Sequence, residues 1–119
     1  MPAQRIVLGI PLYGFELESI GSDPRSPVIP GTGLIASSLR VSQLVANCST
    51  CSVKLDPVAE EKNLIYKDTD TGSYHQIFYP DQEVMKDKIE FVQKNNLGGI
   101  ALWALGYEDA TILNPLKDY

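Results

Sequence analysis

The stretch Leu97–Leu105, LGGIALWAL, restricts the possible folds more than any other part of this chain. It is an almost unbroken apolar run behind a Gly-Gly turn, and it follows a helical pattern over Asp81–Asn96. Such a run reads as a parallel strand buried on both faces. One other run resembles it, Arg5–Tyr13 (RIVLGIPLY). Two such strands with a helix before the second make a βαβ crossover, the repeating piece of a barrel or a doubly wound sheet. A piece of that kind cannot cover its own strands. The expectation is therefore a fragment, or an interacting module, of something larger.

The totals narrow the function classes. A length of 119 residues allows one domain with a modest core. At 44% hydrophobic and 21% charged the composition is that of a globular chain rather than a disordered one. A formal charge of -5 argues against nucleic acid, whose backbone is bound by clustered Lys and Arg. No apolar run approaches the roughly 18–20 residues of a membrane-spanning helix, so no membrane partner is expected. Met1-Pro2-Ala3-Gln4 leads straight towards a strand, without the charged and apolar regions of a signal peptide.

Taken in order, Arg5–Tyr13 is the first buried strand. Pro11 has no N–H to give the ladder, which suits a strand running out, and Gly14 turns the chain. The carboxyl ends of parallel strands are where ligand sites are built. From Phe15 to about Ile77 the character changes. Pro24, Pro27, Pro30, Gly21, Gly31 and Gly33 predict loops and short turns. Ser37–Asn47 predicts a short amphipathic helix capped by Ser37 or Ser38. Ser52–Leu55 and Asn63–Lys67 predict short strands, and the turn Asp68–Gly72 leads into Ser73–Tyr79 as a hairpin. A βαβ connection ordinarily takes about two to six residues on each side of its helix. This segment must be an inserted, mostly antiparallel subdomain above the first strand. Asp81 then caps a helix whose stripe is Met85, Ile89 and Val92, with Val84 and Lys88 beside it, and Asn95, Asn96 and Gly98 end it. Asp109 is expected to cap a last short helix, Ala110–Leu113, before Pro115. The predicted class is α+β, an antiparallel insertion flanked by two parallel strands and a helix. Its expected divisions are residues 1–14, 15–78 and 79–119.

Few residues point to chemistry on their own. Cys48 and Cys51 form a C-x-x-C, but one His and no further Cys cannot complete a zinc site. A local disulfide is preferred over two idle thiols or a redox pair. Asn47-Cys48-Ser49 fits a glycosylation sequon, a weak three-residue pattern. Asp68, Asp70 and Gly72 match half of a calcium loop, yet turn chemistry alone accounts for them. His75 has no evident Ser, Cys or carboxylate partner in the sequence and reads as structural. There is no phosphate-binding glycine loop and no nucleophile elbow, so no cofactor or metal is expected. Trp103, the one Trp, sits late in the second strand, and Tyr13 at the matching end of the first. Trp103 is either a large core side chain or a platform on which a sugar's flat apolar face stacks.

RIVLGIPLYG (Arg5–Gly14), YHQIFYPD (Tyr74–Asp81) and LGGIALWALGYED (Leu97–Asp109) together resemble the C-terminal part of a family 18 glycoside hydrolase, the chitinase family. That group includes chitobiase-like and bacterial cortex-lytic N-acetylglucosaminidases. The resemblance implies a (β/α)8-barrel parent, of which this chain holds the last two strands, the chitinase insertion domain and the intervening helix. It also implies hydrolysis of β-1,4 bonds after N-acetylglucosamine by a parent that is secreted or associated with the cell envelope. Trp103 resembles the tryptophan at the floor of the −1 subsite, and Tyr13 the tyrosine that hydrogen-bonds the sugar below the insertion. Many chitinases carry an arginine two residues after that tyrosine; here Phe15 stands there. The family's acid, a glutamate closing D-x-x-D-x-D-x-E, has no counterpart, and Glu16, Glu18, Glu108 and Asp109 lack that motif's context. No catalytic residue is therefore assigned, and the chain alone is expected not to hydrolyse chitin. The alternative is a non-catalytic module that binds a carbohydrate or a partner through the same Tyr13 and Trp103 face. The strands cut from a barrel are expected to seek the remainder of the barrel or to self-associate.

Overall fold

The computed structural model describes all 119 residues. In chain order the elements are β1 (Val7–Pro11), β2 (Tyr13–Ser19), β3 (Leu34–Ser37) and α1 (Ser38–Ala46). They continue with β4 (Ser52–Asp56), β5 (Glu61–Lys67), β6 (Tyr74–Tyr79), α2 (Gln82–Lys94) and β7 (Gly99–Trp103). Single 3-10 turns lie at Ala3–Arg5 and Asn114–Asp118. β1 and β7 pair in parallel, from Val7 opposite Gly99 to Pro11 opposite Trp103. The other five strands form an antiparallel sheet in the order β3-β2-β6-β5-β4. The chain is thus a mixed α/β fold with an antiparallel sheet and two helices.

Each sheet has its own core. Ile10 and Leu12 pack on Met85 and Ile89 of α2 and on Ile112, with Leu8, Ile100 and Leu102 against them. The helical stripe is set by the spacing of its apolar residues, and the Asp81 carboxylate accepts from the Val84 N–H at 3.0 Å to start the helix. The second core is Ala36, Val41, Leu64, Ile77 and Tyr79, where α1 lies on the antiparallel sheet. Ser37 caps α1 through its hydroxyl, which accepts from the Arg40 N–H at 3.2 Å. Two glycines permit the joints. A Cβ at Gly14 would stand 2.0 Å from the Phe78 carbonyl oxygen, and one at Gly98 would stand 2.2 Å from that of Gln4.

The structure differs from the sequence expectation in four places. Arg5–Tyr13 is not one strand: β1 stops at Pro11, and Tyr13 already belongs to the antiparallel sheet. Leu12 is the joint, its N–H donating to the Trp103 carbonyl at 2.6 Å and its carbonyl accepting from Ser38 at 3.0 Å. The expected loop after Phe15 contains the rest of β2 and all of β3. Its proline and glycine density comes from the segment between those strands, which outweighed the alternation in Tyr13–Ser19. The expected helix Ala110–Leu113 is only a turn. Asp109 does accept from Thr111 and Ile112 N–H groups at 3.3 and 2.9 Å, but the helical turn falls on Asn114–Asp118, where Pro115 is tolerated near its start. Finally, β1 and β7 are covered on one face only. α2 shields Ile10 and Leu102, while Val7 and Trp103 lie open, because a two-stranded sheet with a single helix layer has nothing to place on its second face.

Candidate functional site

Trp103 stands at the end of the open face of the parallel pair, and the Leu12–Trp103 backbone hydrogen bond brings the start of β2, with its edge-on series of Tyr107, Tyr13 and Phe15 rings, beside it. Trp103 closes β7 with 71% of its surface exposed, on the side that also carries Gly99 and Ala101. The peptide bond from Trp103 to Ala104 is cis. Its carbonyl is fixed by the Leu12 N–H, so the Trp103 backbone is pinned where β1 ends. Tyr13 opens β2 just beyond, half-buried. Its ring stands edge-on to Tyr107 at 6.2 Å and edge-on to Phe15 at 5.8 Å. Tyr107 is held in turn, donating its N–H to the Ala104 carbonyl and accepting from the Leu39 N–H at the start of α1. The two parallel strands, the loop after β7 and the start of β2 therefore converge on one mouth. It offers apolar ring faces and a tyrosine hydroxyl, the combination that receives a ring with an apolar face and polar edges. The acidic residues beside it are taken up locally: Glu108 accepts from the Gly106 N–H at 2.6 Å, and Asp109 caps the following turn.

A second cluster escaped the sequence reading. Glu16 is only 2% exposed, on the opposite face of β2 from Tyr13. One oxygen of its carboxylate accepts from Arg40 Nε and Nη2 at 3.1 and 2.8 Å. The other meets the Tyr66 hydroxyl and lies 3.1 Å from His75 Nδ1. Burial pushes the carboxyl up, but the bonds from Tyr66, Arg40 and His75 together outweigh it and hold Glu16 below the ordinary carboxylate value. Tyr66 is pushed well above the ordinary phenol value by burial and by the neighbouring carboxylate. His75 is therefore not partnerless: Glu16 lies on one side, Asp68 Oδ2 is 3.5 Å from its Nε2, and the Tyr66 ring stacks on it at 4.9 Å. The partners come from β2, α1, β5 and β6, so no spacing along the chain marks them. The one available signal was a charged Glu at an inward position of an alternating strand.

The remaining sequence candidates lie apart from the mouth. Cys48 and Cys51 are joined in a disulfide just past α1, where the Asn47 side chain donates to the Gln43 carbonyl. Asp68 accepts from the Asp70 and Thr71 N–H groups, and Gly72 adopts φ +73, so this segment is a hairpin turn.

Comparison with known proteins gives the lineage. The profile described as glycosyl hydrolases family 18 matches residues 1–108. The cortical fragment-lytic enzyme of Bacillus subtilis is 27% identical over 109 residues, a span covering 89% of this chain and 23% of that protein. The chain thus spans about a quarter of the length of the curated relatives it matches. The crystal structure of a chitinase from Chromobacterium violaceum superimposes with a TM-score of 0.74 at 27% identity, covering 98% of this chain and 33% of that one. A chitinase from Cycas revoluta in complex with (GlcNAc)4 shares the fold at 21% identity, with a TM-score of 0.78 over 99% of this chain and 34% of that one. A family match running through nearly the whole chain, with a fold superimposing on such enzymes, identifies it: this chain belongs to the family 18 glycosyl hydrolases.

Proposed function

We propose that this chain forms one wall and part of the floor of a cleft that binds N-acetylglucosamine polymers, of the chitin or peptidoglycan type. In this reading β1 and β7 are the last two strands of a (β/α)8 barrel, and the antiparallel sheet with α1 is the insertion that rises beside them. Trp103 is the platform under a sugar ring, and Tyr13 gives the polar contact next to it. The carrying observation is the exposed Trp103 at the carboxyl end of a parallel strand, with Tyr13 opening β2 two residues after the paired strand β1 ends at Pro11. The acid of glycoside hydrolysis lies outside these residues, since no carboxylate here stands in a D-x-x-D-x-D-x-E motif. This chain binds and orients; it does not cleave by itself.

The test is titration with chitotriose, followed by Trp103 fluorescence and by calorimetry. A single Trp makes the optical signal specific to the mouth. The expected result is a saturable fluorescence change, with a calorimetric signal abolished by Trp103→Ala in a chain that remains folded. A flat response from the folded wild-type chain overturns the reading that these residues hold sugar. Release of N-acetylglucosamine from chitotriose by the purified chain overturns the placement of the acid elsewhere.

A further inference from the structure

A cavity of about 410 Å³ lies on the antiparallel sheet between β4, β5 and the Ser22–Pro24 segment. The strand register sets its floor. Lys54 faces Asn63 across β4 and β5, and Lys67 faces Tyr74 across β5 and β6, so alternation along β5 puts all four side chains on one face. The Ser22–Pro24 wall is pinned by buried Gln76, whose side-chain amide donates to the Asp23 carbonyl at 2.7 Å and accepts from the Arg25 N–H at 3.2 Å. The cavity is therefore shaped by the fold itself. Two features call for an acceptor from outside the chain. Asn63 is 3% exposed, and its Nδ2 donor has no hydrogen-bond partner, which leaves a cost of about 1–3 kcal/mol unmet. Neither Lys54 nor Lys67 pairs with a carboxylate, and the Lys67 ammonium is held over the Tyr74 ring at 5.7 Å.

We propose that this cavity binds a small monocarboxylate, with Lys54 and Lys67 holding the acid and Asn63 donating to one of its oxygens. Charge selects the class. Two ammonium groups against the one acid of the lining, Asp23, leave a single positive charge. One carboxylate balances that charge, and a phosphate dianion exceeds it. The lining has no arginine either, the residue whose planar fork grips a phosphate through two bonds. The volume is at the small end of the roughly 300–1,000 Å³ of ligand pockets, which suits a body of one sugar ring or two amino-acid residues. Ile65 and Pro24 offer that body an apolar surface, and Ser22 and Ser52 a polar edge. Asn63 is the telling residue. An apolar side chain of its size would leave no orphaned donor on this strand, so its amide serves a ligand rather than the fold. The site is separate from the mouth, because Tyr74 pairs with Ser19 at the far end of β2 from Tyr13. It stands independently of the reading of Trp103 and Tyr13 as part of a glycan cleft.

Calorimetric titration of the 119-residue chain with two pairs of probes decides the matter. N-acetylmuramic acid and N-acetylglucosamine differ by a lactyl carboxylate, and N-acetyl-alanyl-alanine and its C-terminal amide differ by the acid of a peptide end. One acid or both is expected to bind about tenfold more tightly than the neutral counterpart, and which one does so tells an acidic sugar from a peptide end. Equal affinities within both pairs, or no binding of either acid to the folded chain, overturns the proposal. Lys54→Gln and Lys67→Gln are each expected to weaken the acid about tenfold and leave its neutral counterpart alone; unchanged affinity in both overturns the site. Asn63→Leu is expected to weaken the acid while keeping or raising the urea midpoint, because it removes an orphaned donor. A lower midpoint with acid affinity intact makes Asn63 a structural residue and overturns its role. Trp103→Ala is expected to leave acid binding unchanged. Loss there places the acid at the mouth and overturns this site, whereas a flat chitotriose response with acid binding retained removes the glycan cleft and supports a separate site.

Discussion

A buried carboxylate with four donors around it is the residue that the antiparallel sheet depends on. Removing Glu16 leaves the Tyr66 hydroxyl, His75 Nδ1 and Arg40 without their shared acceptor. Glu16→Ala is expected to destabilise the chain by about 2–3 kcal/mol, below the roughly 3–5 kcal/mol of a fully buried broken pair, because Arg40 keeps half its surface in water. The acid dependence follows from the same contacts. In the unfolded chain Glu16 takes its proton near 4.5, and in the folded chain only at lower pH. Its contribution is present above 4.5 and is lost as the pH falls through the folded value. Asp56, held down by the Ala59 N–H and the Arg25 guanidinium, adds a loss of the same sign, whereas Glu61, pushed up by burial, works in the opposite direction. Urea unfolding at pH 7 and at steps below 4.5 checks both statements: Glu16→Gln should flatten the acid slope, and an unchanged slope would count against the pairing. None of this was legible from the residues one by one. Glu16, Arg40, Tyr66 and His75 look unrelated until three strands and a helix bring them together, whereas Trp103 and Tyr13 stood out because each ends a recognisable apolar run.

Among the elements, β2 carries the strictest local demand. Its Gly14 faces the Phe78 carbonyl at a distance that admits no Cβ, and neither strand can retreat, since β2 lies between β3 and β6. Gly14→Ala is expected to cost about 3 kcal/mol by overpacking, read as a lower urea midpoint at unchanged slope. A wild-type midpoint would mean that the sheet yields at this joint. This element also shows how far periodicity reaches. α1 and α2 were legible because an N-cap and an apolar stripe lie within one continuous segment, and β5 and β6 because a short Asp-Gly turn joins them. β2 and β3 were not, because they pair across a long proline- and glycine-rich segment whose composition resembles an ordinary loop. Turn composition reports on the connection, and a pairing between distant segments leaves no local trace.

At the scale of the whole molecule, coverage is the governing fact. Only 20 of 119 residues are buried, in two separate cores along a body of 49 × 28 × 22 Å. The antiparallel sheet has α1 on one face and the Gly21–Thr32 segment tied to the other through Gln76, Thr32 and Arg25. The parallel pair has α2 below it, nothing above it, and an unpaired edge on each strand. Ile6, Val7, Trp103 and Leu105 lie on or near that open side, Leu105 with 80% of its surface exposed. Unpaired edges beside an apolar face recruit further strands, whether from the remainder of a barrel or from another copy. The expected behaviour in isolation is a weight-average mass that rises with concentration in sedimentation, strong binding of a dye that reports apolar surface, and relief of both by Val7→Lys with Leu105→Lys. Hydrogen exchange should divide in the same way. Amides of β6, bonded on both sides at the centre of its sheet, should open only with global unfolding, while those of β1 and β7 should exchange through smaller, local openings. A monodisperse monomer with little dye binding and uniform protection would mean that α2 alone suffices to close the parallel pair, and the need for further strands would fall with it.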